Sequence, residues 1–284
     1  MKLLHTCAAF ALLACSLLAQ PARIVSTFPS ATETLFALGL GDRVVGVSTY
    51  CRYPPQVLAL PKIGTYMKAD PEKIALLRPD LVIIERSAVS LADRLSALGI
   101  PSGSVTVRSL PEVFSMIRDI GRAAQVPERA GSLNSKIQAR LITLRREMRG
   151  RYRPSVLIIV GRNPGELANL IGVGTSPYLG ELLEIAGGRN VLRDSALPYP
   201  HISFESVVRR NPEIILDLSM MGDSSSTPVD EERLRQPWLS HQELTAVRNG
   251  TVFGMSSEAL VTPGPRVADA VELIRNKLFL RGAK

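Results

Sequence analysis

The sequence predicts an α/β protein of two related lobes, and three observations carry that expectation. Short apolar strand signals alternate with helical ones from Arg23 to Val107, and the alternation restarts at Val156. A segment without strand signals separates the two runs. Motifs of the first run then recur, in the same order, in the second. Alternation of this kind implies parallel sheet, because parallel neighbours need a crossover and the crossover is usually a helix.

The first nineteen residues read as an export signal. Lys2 supplies the positive start, Leu3 to Ala19 is apolar apart from His5, Thr6 and Ser16, and cleavage after Ala19 would leave Gln20 first. The run Leu12-Leu13-Ala14-Cys15 also resembles a lipobox, which would make Cys15 a lipidated first residue. The apolar stretch is short of the ~20 residues that span a bilayer. Both readings put the mature chain in the periplasm, free or lipid-anchored. Cys7 and Cys15 lie in the signal, so Cys51 has no certain partner for an internal disulfide and the fold must stand on its core. Cys51 itself reads as a packing thiol.

The first lobe is expected over residues 23–126. Arg23 to Ser26 is its first strand. Ser30-Ala31-Thr32-Glu33 has the form of a capping box that opens a helix, with Leu35, Phe36 and Leu38 on one side and Gly39 at the end. Val44 to Val47 is a strand and Pro71 to Leu77 a short helix. Leu81 to Ile84 is a strand, Leu91 to Leu98 a helix, and Ser104 to Val107 a strand. From Pro127 the apolar residues Leu133, Ile137, Leu141, Leu144 and Met148 recur at helical spacing, so one helix is expected to Gly150, about 35 Å long. It belongs to a connecting segment, 127–152.

The second lobe, 153–284, opens on the strand Val156 to Val160. Glu72-x6-Pro79-Asp80-Leu81-Val82-Ile83 is echoed by Glu205-x6-Pro212-Glu213-Ile214-Ile215-Leu216. A helix ending Leu38-Gly39 before Arg43-Val44 is echoed by one ending Ala186-Gly187 before Asn190-Val191. Met220 to Pro228 is expected as a loop, and Val267 to Leu280 as the last helix.

Composition narrows the function. The formal charge is +8, and much of the excess sits in Arg140, Arg145, Arg146, Arg149, Arg151 and Arg153. Export argues against nucleic acid, which leaves a solvated helix face or attraction to anionic headgroups. Only His201 and His241 survive removal of the signal, too few for a typical zinc site, so no bare-metal site is assigned. Enzyme readings lack parts. Gly172-Val173-Gly174-x5-Gly180 has the spacing of neither a dinucleotide fingerprint nor a phosphate-binding loop, no nucleophile elbow is present, and Asp217 and Glu258 lack an evident partner. Tyrosines are the stronger signal. Tyr50 stands near Pro54-Pro55 and Tyr199 lies between Pro198 and Pro200, in stiffened loops that hold a side chain out. Trp238 reads as packing.

Several runs resemble a known family. Arg23-Ile-Val-Ser-x3-Ser30-x-Thr32-Glu33 resembles the opening of the helical-backbone binding proteins that serve cobalamin, haem and siderophore importers. Gly46-Val47-Ser48-x-Tyr50-x2-Tyr53-Pro54-Pro55, Gly64-Thr65-Tyr66 and the run from Glu72 to Ile83 are similar to the cobalamin-binding branch. Gly187-Gly188-x-Asn190-Val191 and Pro198-Tyr199-Pro200-x-Ile202-Ser203 with Glu205 continue the likeness. The resemblance covers nearly all of 23–280. It implies two Rossmann-like α/β lobes joined by one long backbone helix, with the ligand in a cleft between the lobes. It also implies a monomer that binds a metal chelate (cobalamin or a related corrinoid; alternatively haem or a ferric siderophore) without catalysis or cofactor, and an inner-membrane ABC permease dimer as partner. On this chain the implied ligand contacts are Tyr50, Tyr66, Glu85, Tyr199, His201 and Glu258, the last within a cleft-side stretch running to Arg266. His201 is open between a solvent-facing side chain and an axial ligand. Glu72 and Glu205 match the docking carboxylates of the two lobes. Two departures stand out: Glu85 replaces an aromatic, and Ala186 replaces a cysteine used in a disulfide.

Overall fold

A computed structural model describes residues 20–175, 177–219 and 230–279. The expected signal and lipobox, and the loop expected from Met220 to Pro228, lie outside the described residues. The chain forms two compact units, one of residues up to Thr106 with Met116–Leu133, the other of Val107–Ser115 with the chain from Asn134 onward.

The first unit runs β1 (Ile24–Ser26), α1 (Pro29–Ala37), β2 (Val44–Val47), α2 (Pro71–Leu76), β3 (Leu81–Glu85), α3 (Val89–Ala97) and β4 (Ser102–Val105). Its strands form one parallel sheet in the order β2-β1-β3-β4. β1 and the first four residues of β3 are buried, as the continuous apolar runs require. The start of α1 departs from the expected capping box. Phe28 is its extended cap, Pro29 occupies the first turn, and no side chain caps it. Proline's fixed φ and missing N–H suit that position, so Ser30 is already inside the helix. The Thr32 hydroxyl instead donates to Ser26 Oγ at 2.8 Å, tying helix to strand. Gly39 closes α1 at φ 73°, and Asp70 caps α2 by accepting the amides of Glu72 and Lys73, each at 3.1 Å. β4 begins two residues before its expected place, because its register on β3 pairs Val82 with Ser102 and Glu85 with Val105.

Two helices contain residues of both units. α4 (Leu110–Ala123) was not anticipated, although Val113, Met116, Ile117 and Ile120 fall at helical spacing and are all buried. α5 (Pro127–Glu147) is the long helix, 21 residues and about 31 Å. It ends before Gly150, which takes φ 71° in the turn that follows. Ile137, Leu141, Leu144 and Met148 are buried, so the expected stripe is the packed one.

The second unit continues with β5 (Ser155–Gly161), β6 (Leu170–Gly172), α6 (Tyr178–Ile185), β7 (Arg189–Asn190), β8 (His201–Ile202), α7 (Phe204–Arg210) and β9 (Ile214–Asp217). There follow α8 (Glu231–Arg235), α9 (Thr245–Arg248), β10 (Val252–Gly254), α10 (Glu258–Val261) and α11 (Val267–Phe279). The sheet path is β10-β9-β5-β6-β8, with β7 also on β5, and β6 is antiparallel to both its neighbours. The core of this unit joins Leu157, Ile159, Leu170, Ile215 and Leu244 around a fully buried Trp238. Among the described residues no helix is long and apolar enough to cross a membrane.

The sequence echoes correspond to a shared construction. Arg78 and Asn211, each just before the proline of its motif, both adopt left-handed backbone, at φ 45° and 40°. A residue before proline is kept from the right-handed helical region, which fits helix termination at both places. The carboxylate after each proline then holds down the first strand of its own unit. Asp80 accepts the amides of Ala22 and Arg23 at 3.0 and 2.8 Å, and Glu213 accepts the amide of Ser155 at 2.8 Å.

Asp217, expected to lack a partner, has three. Its Oδ2 accepts Arg162 Nε at 2.9 Å and Trp238 Nε1 at 2.8 Å, while Oδ1 accepts the amide of Ser219 at 3.0 Å. Arg162 spends its remaining donors on the carbonyls of Asn163, Glu166 and Leu234. A charge pair this deeply buried persists only when its hydrogen bonds are answered, and here they are. The network pins the carboxyl ends of β5 and β9.

Candidate functional site

Loops leaving the carboxyl ends of parallel strands are where α/β sheets meet ligands. In the first unit, Glu85 is the last residue of β3. Its carboxylate accepts the Ser87 amide at 2.8 Å and the Ser87 hydroxyl, so its charge is already engaged. Tyr66 and Glu85 line one cavity of about 230 Å³ with Met67, Ser87 and Arg94. Tyr66 is 44% exposed and Met67 78%, an apolar surface open to solvent. Tyr50, also exposed, lies in the loop after β2 and does not line this cavity. Its neighbour Cys51 is buried, its thiol within 3.1 Å of Thr32 Oγ1 and 3.2 Å of Ser48 Oγ; burial pushes that thiol's pKa up. The packing reading of Cys51 fits.

The second unit holds a cavity of about 560 Å³. Val107, Leu179, Pro198, Leu260, Val261 and Pro263 supply an apolar wall, and Tyr178 and Tyr199 also line the cavity. Tyr199 is 49% exposed, and burial of the remainder pushes its hydroxyl pKa up. The polar groups of the lining are Arg108, Ser109 and Glu112. Glu112 accepts the amide of Arg108 at 2.6 Å, and Glu181 accepts that of Leu110 at the same distance, so two carboxylates anchor the start of α4. Arg108 is exposed, and its guanidinium has no hydrogen-bond or ionic partner among the described residues. His201, exposed in β8, and Glu258, at the start of α10, are not in this lining; α10 contributes Leu260 and Val261 instead. Of the residues singled out in the sequence, this lining contains Tyr199 and part of the 258–266 stretch; Arg108 and Glu112, just before and within the unanticipated α4, were not singled out.

Glu72 and Glu205 occupy matching first turns, of α2 and α7, and both are exposed. Their electrostatics differ. Glu72 Oε1 accepts Arg94 at 2.7 Å. Glu205 has no basic partner among the described residues, and hydrogen bonding from Ser203 and from its own amide holds its pKa below the ordinary value. Among the described residues no three His, Cys, Asp or Glu side chains group as a metal site.

Two α/β units, each offering aromatic and aliphatic side chains around the ends of its sheet, describe a solute-binding protein. The chain belongs to the periplasmic binding protein family, whose model matches residues 24–259. It is similar to the vitamin B12-binding protein of Vibrio cholerae serotype O1, 30% identical over 264 residues that cover 91% of each chain. It is also similar to YvrC, an uncharacterised ABC transporter substrate-binding lipoprotein of Bacillus subtilis, 29% identical over 270 residues covering 92% of this chain and 81% of that one. The crystal structure of the periplasmic vitamin B12-binding protein BtuF of Vibrio cholerae matches with a TM-score of 0.73 and 28% identity, over 93% of this chain and 99% of that one. The family is one of solute-binding components of ABC transporters rather than of enzymes, which implies a small-molecule ligand and a permease partner.

Proposed function

We propose that this protein captures vitamin B12 or a related corrinoid in the periplasm, acting as a monomer, and delivers it to an ABC permease dimer in the inner membrane. The observation that carries the reading is the wide apolar cavity of the second unit, flanked by a half-exposed Tyr199, in a chain similar over nine-tenths of its length to a vitamin B12-binding protein. Exposed aromatic and aliphatic side chains gathered on a soluble protein mark a binding surface. A corrin is a broad, partly apolar disc bearing amide arms, and tyrosine offers such a disc a flat face and a hydroxyl. In this reading Tyr50, Tyr66 and Glu85 of the first unit contribute contacts of their own. Glu72 and Glu205 dock one on each permease subunit, as a two-fold receiver requires. Residues 1–19 direct export, with Cys15 available for lipidation.

Calorimetric titration of the mature chain with cyanocobalamin tests the proposal. Micromolar or tighter binding, with a raised thermal midpoint, is expected. No heat and no thermal shift with cyanocobalamin, together with a Soret band on addition of haem, would replace the corrinoid by a porphyrin.

A further inference from the structure

Resting on the corrinoid reading, we infer that Arg108 makes this protein selective for corrinoids that carry their nucleotide-loop phosphodiester over those that lack it. The argument begins with charge. Within the 560 Å³ cavity of the second unit the charged side chains of the lining are Arg108 and Glu112. Glu112 is committed: it accepts an amide at the start of α4, where the helix terminus also favours its negative charge. Arg108 is not committed, since no described residue accepts from its guanidinium. The first unit's cavity is the contrast, because there Arg94 is paired with Glu72 and Glu85 is held by Ser87. The uncommitted charge of the two cavities is therefore a cation set beside an apolar wall.

Chemistry then selects the ligand group. The side arms of a complete corrinoid are neutral amides, and its one anionic arm is the phosphodiester that tethers the nucleotide base. Guanidinium presents paired donors that match two phosphate oxygens. Leu260, Val261 and Pro263 line the same cavity, so a phosphate seated there would give up part of its water and feel the guanidinium more strongly than in open solvent. One cation answers one anionic charge, which suits a monoanionic phosphodiester better than a multiply charged siderophore. Specificity of this kind arises from a group left unanswered in the wrong ligand.

The test compares cyanocobalamin with dicyanocobinamide, which lacks the nucleotide loop, on the wild-type chain and on Arg108→Met and Arg108→Lys. Methionine keeps the apolar stem and removes the charge; lysine keeps the charge and removes the fork. The wild type is expected to prefer cyanocobalamin by tenfold or more, about 1.4 kcal/mol. Arg108→Met should lose that preference by weakening cyanocobalamin alone, and Arg108→Lys should keep part of it. Added salt should weaken cyanocobalamin binding to the wild type and leave Arg108→Met unmoved. Equal weakening of both ligands by Arg108→Met, or no weakening of either, overturns the inference while leaving the corrinoid reading standing. Failure of both corrinoids to bind the wild type overturns both, and a wild type that binds dicyanocobinamide as tightly as cyanocobalamin overturns the inference alone.

Discussion

Truncating Tyr199 tests whether the second unit's cavity receives a flat apolar ligand. The ring is 49% exposed in the free protein. An aromatic side chain can bury roughly 200 Å², so about 100 Å² remains for a ligand to cover. At about 25 cal/mol per Å², full coverage is worth ~2.5 kcal/mol, and coverage of one face about half of that. Tyr199→Ala should therefore raise the Kd for cyanocobalamin by roughly 10- to 60-fold.

Tyr199→Phe separates the ring from the hydroxyl. Burial holds the Tyr199 hydroxyl protonated through neutral pH, so phenylalanine removes a hydrogen bond and no charge. If the ring makes the contact, Tyr199→Phe stays within about threefold of the wild type. Calorimetry gives each Kd, and a thermal melt guards against unfolding. By the same bookkeeping the buried half of the ring is worth up to about 2.5 kcal/mol of stability, so Tyr199→Ala should lower the thermal midpoint and its Kd is to be measured well below that midpoint. An alanine variant within twofold of wild type would refute the contact. A phenylalanine variant as weak as alanine would move the contact from the ring to the hydroxyl.

Three further outcomes are expected. Asp217→Asn leaves Arg162 buried without its counter-charge and turns amide hydrogens toward existing donors, so thermal or urea melts should show a loss of ~3–5 kcal/mol; a loss under about 1 kcal/mol would mean the network is dispensable. Glu213 is pushed up by burial, but hydrogen bonds from Ser155 and Tyr152 together outweigh it and hold its pKa below the ordinary 4.5. Its contribution is thus complete above pH ~4.5 and lost as pH falls through the lowered value. Acid unfolding of Glu213→Gln should be shallower over that window than that of the wild type, and identical profiles would contradict the assignment. Glu72→Ala with Glu205→Ala should leave ligand affinity within twofold while abolishing stimulation of permease ATPase activity; Glu205→Ala alone should be the more damaging single change, because Arg94 already answers part of the Glu72 charge.

Much of the fold was legible because its signals are short-ranged. The apolar runs that became β1, β3, β5 and β9 are contiguous in sequence, and the stripe on α5 repeats every turn. The paired Pro79-Asp80 and Pro212-Glu213 motifs carried more than pattern, since each sets a helix end and fastens a strand. The misreadings also have local causes. Ser30-x-x-Glu33 satisfies the form of a capping box, yet Pro29 beside it is the stronger helix-start residue. α4 carries a regular apolar face, Val113, Met116, Ile117 and Ile120, with Arg118 and Asp119 on the other side, so its signal was present in the sequence.

The site was legible only where one loop carries its own signal. Prolines on both sides of Tyr199 show that the ring is held out, and nothing more distant is needed to see it. The cavity around that ring is assembled from Val107–Ser109, Glu112, Val160, Pro177–Leu179, Pro198–Tyr199, Leu260–Val261 and Pro263, pieces spread over more than half the chain. No periodicity links them. The same holds for Asp217, whose partners Arg162 and Trp238 lie 55 and 21 positions away. A carboxylate looks unpartnered in sequence when its partner arrives through sheet pairing, here the parallel register of β5 on β9 that sets Ile159 against Asp217. Arg108 shows the converse. In sequence it is one of 34 basic residues with nothing to mark it. What distinguishes it is that no carboxylate among the described residues answers it beside an apolar wall, and a charge of that kind becomes visible only once the other pairings in the neighbourhood are known.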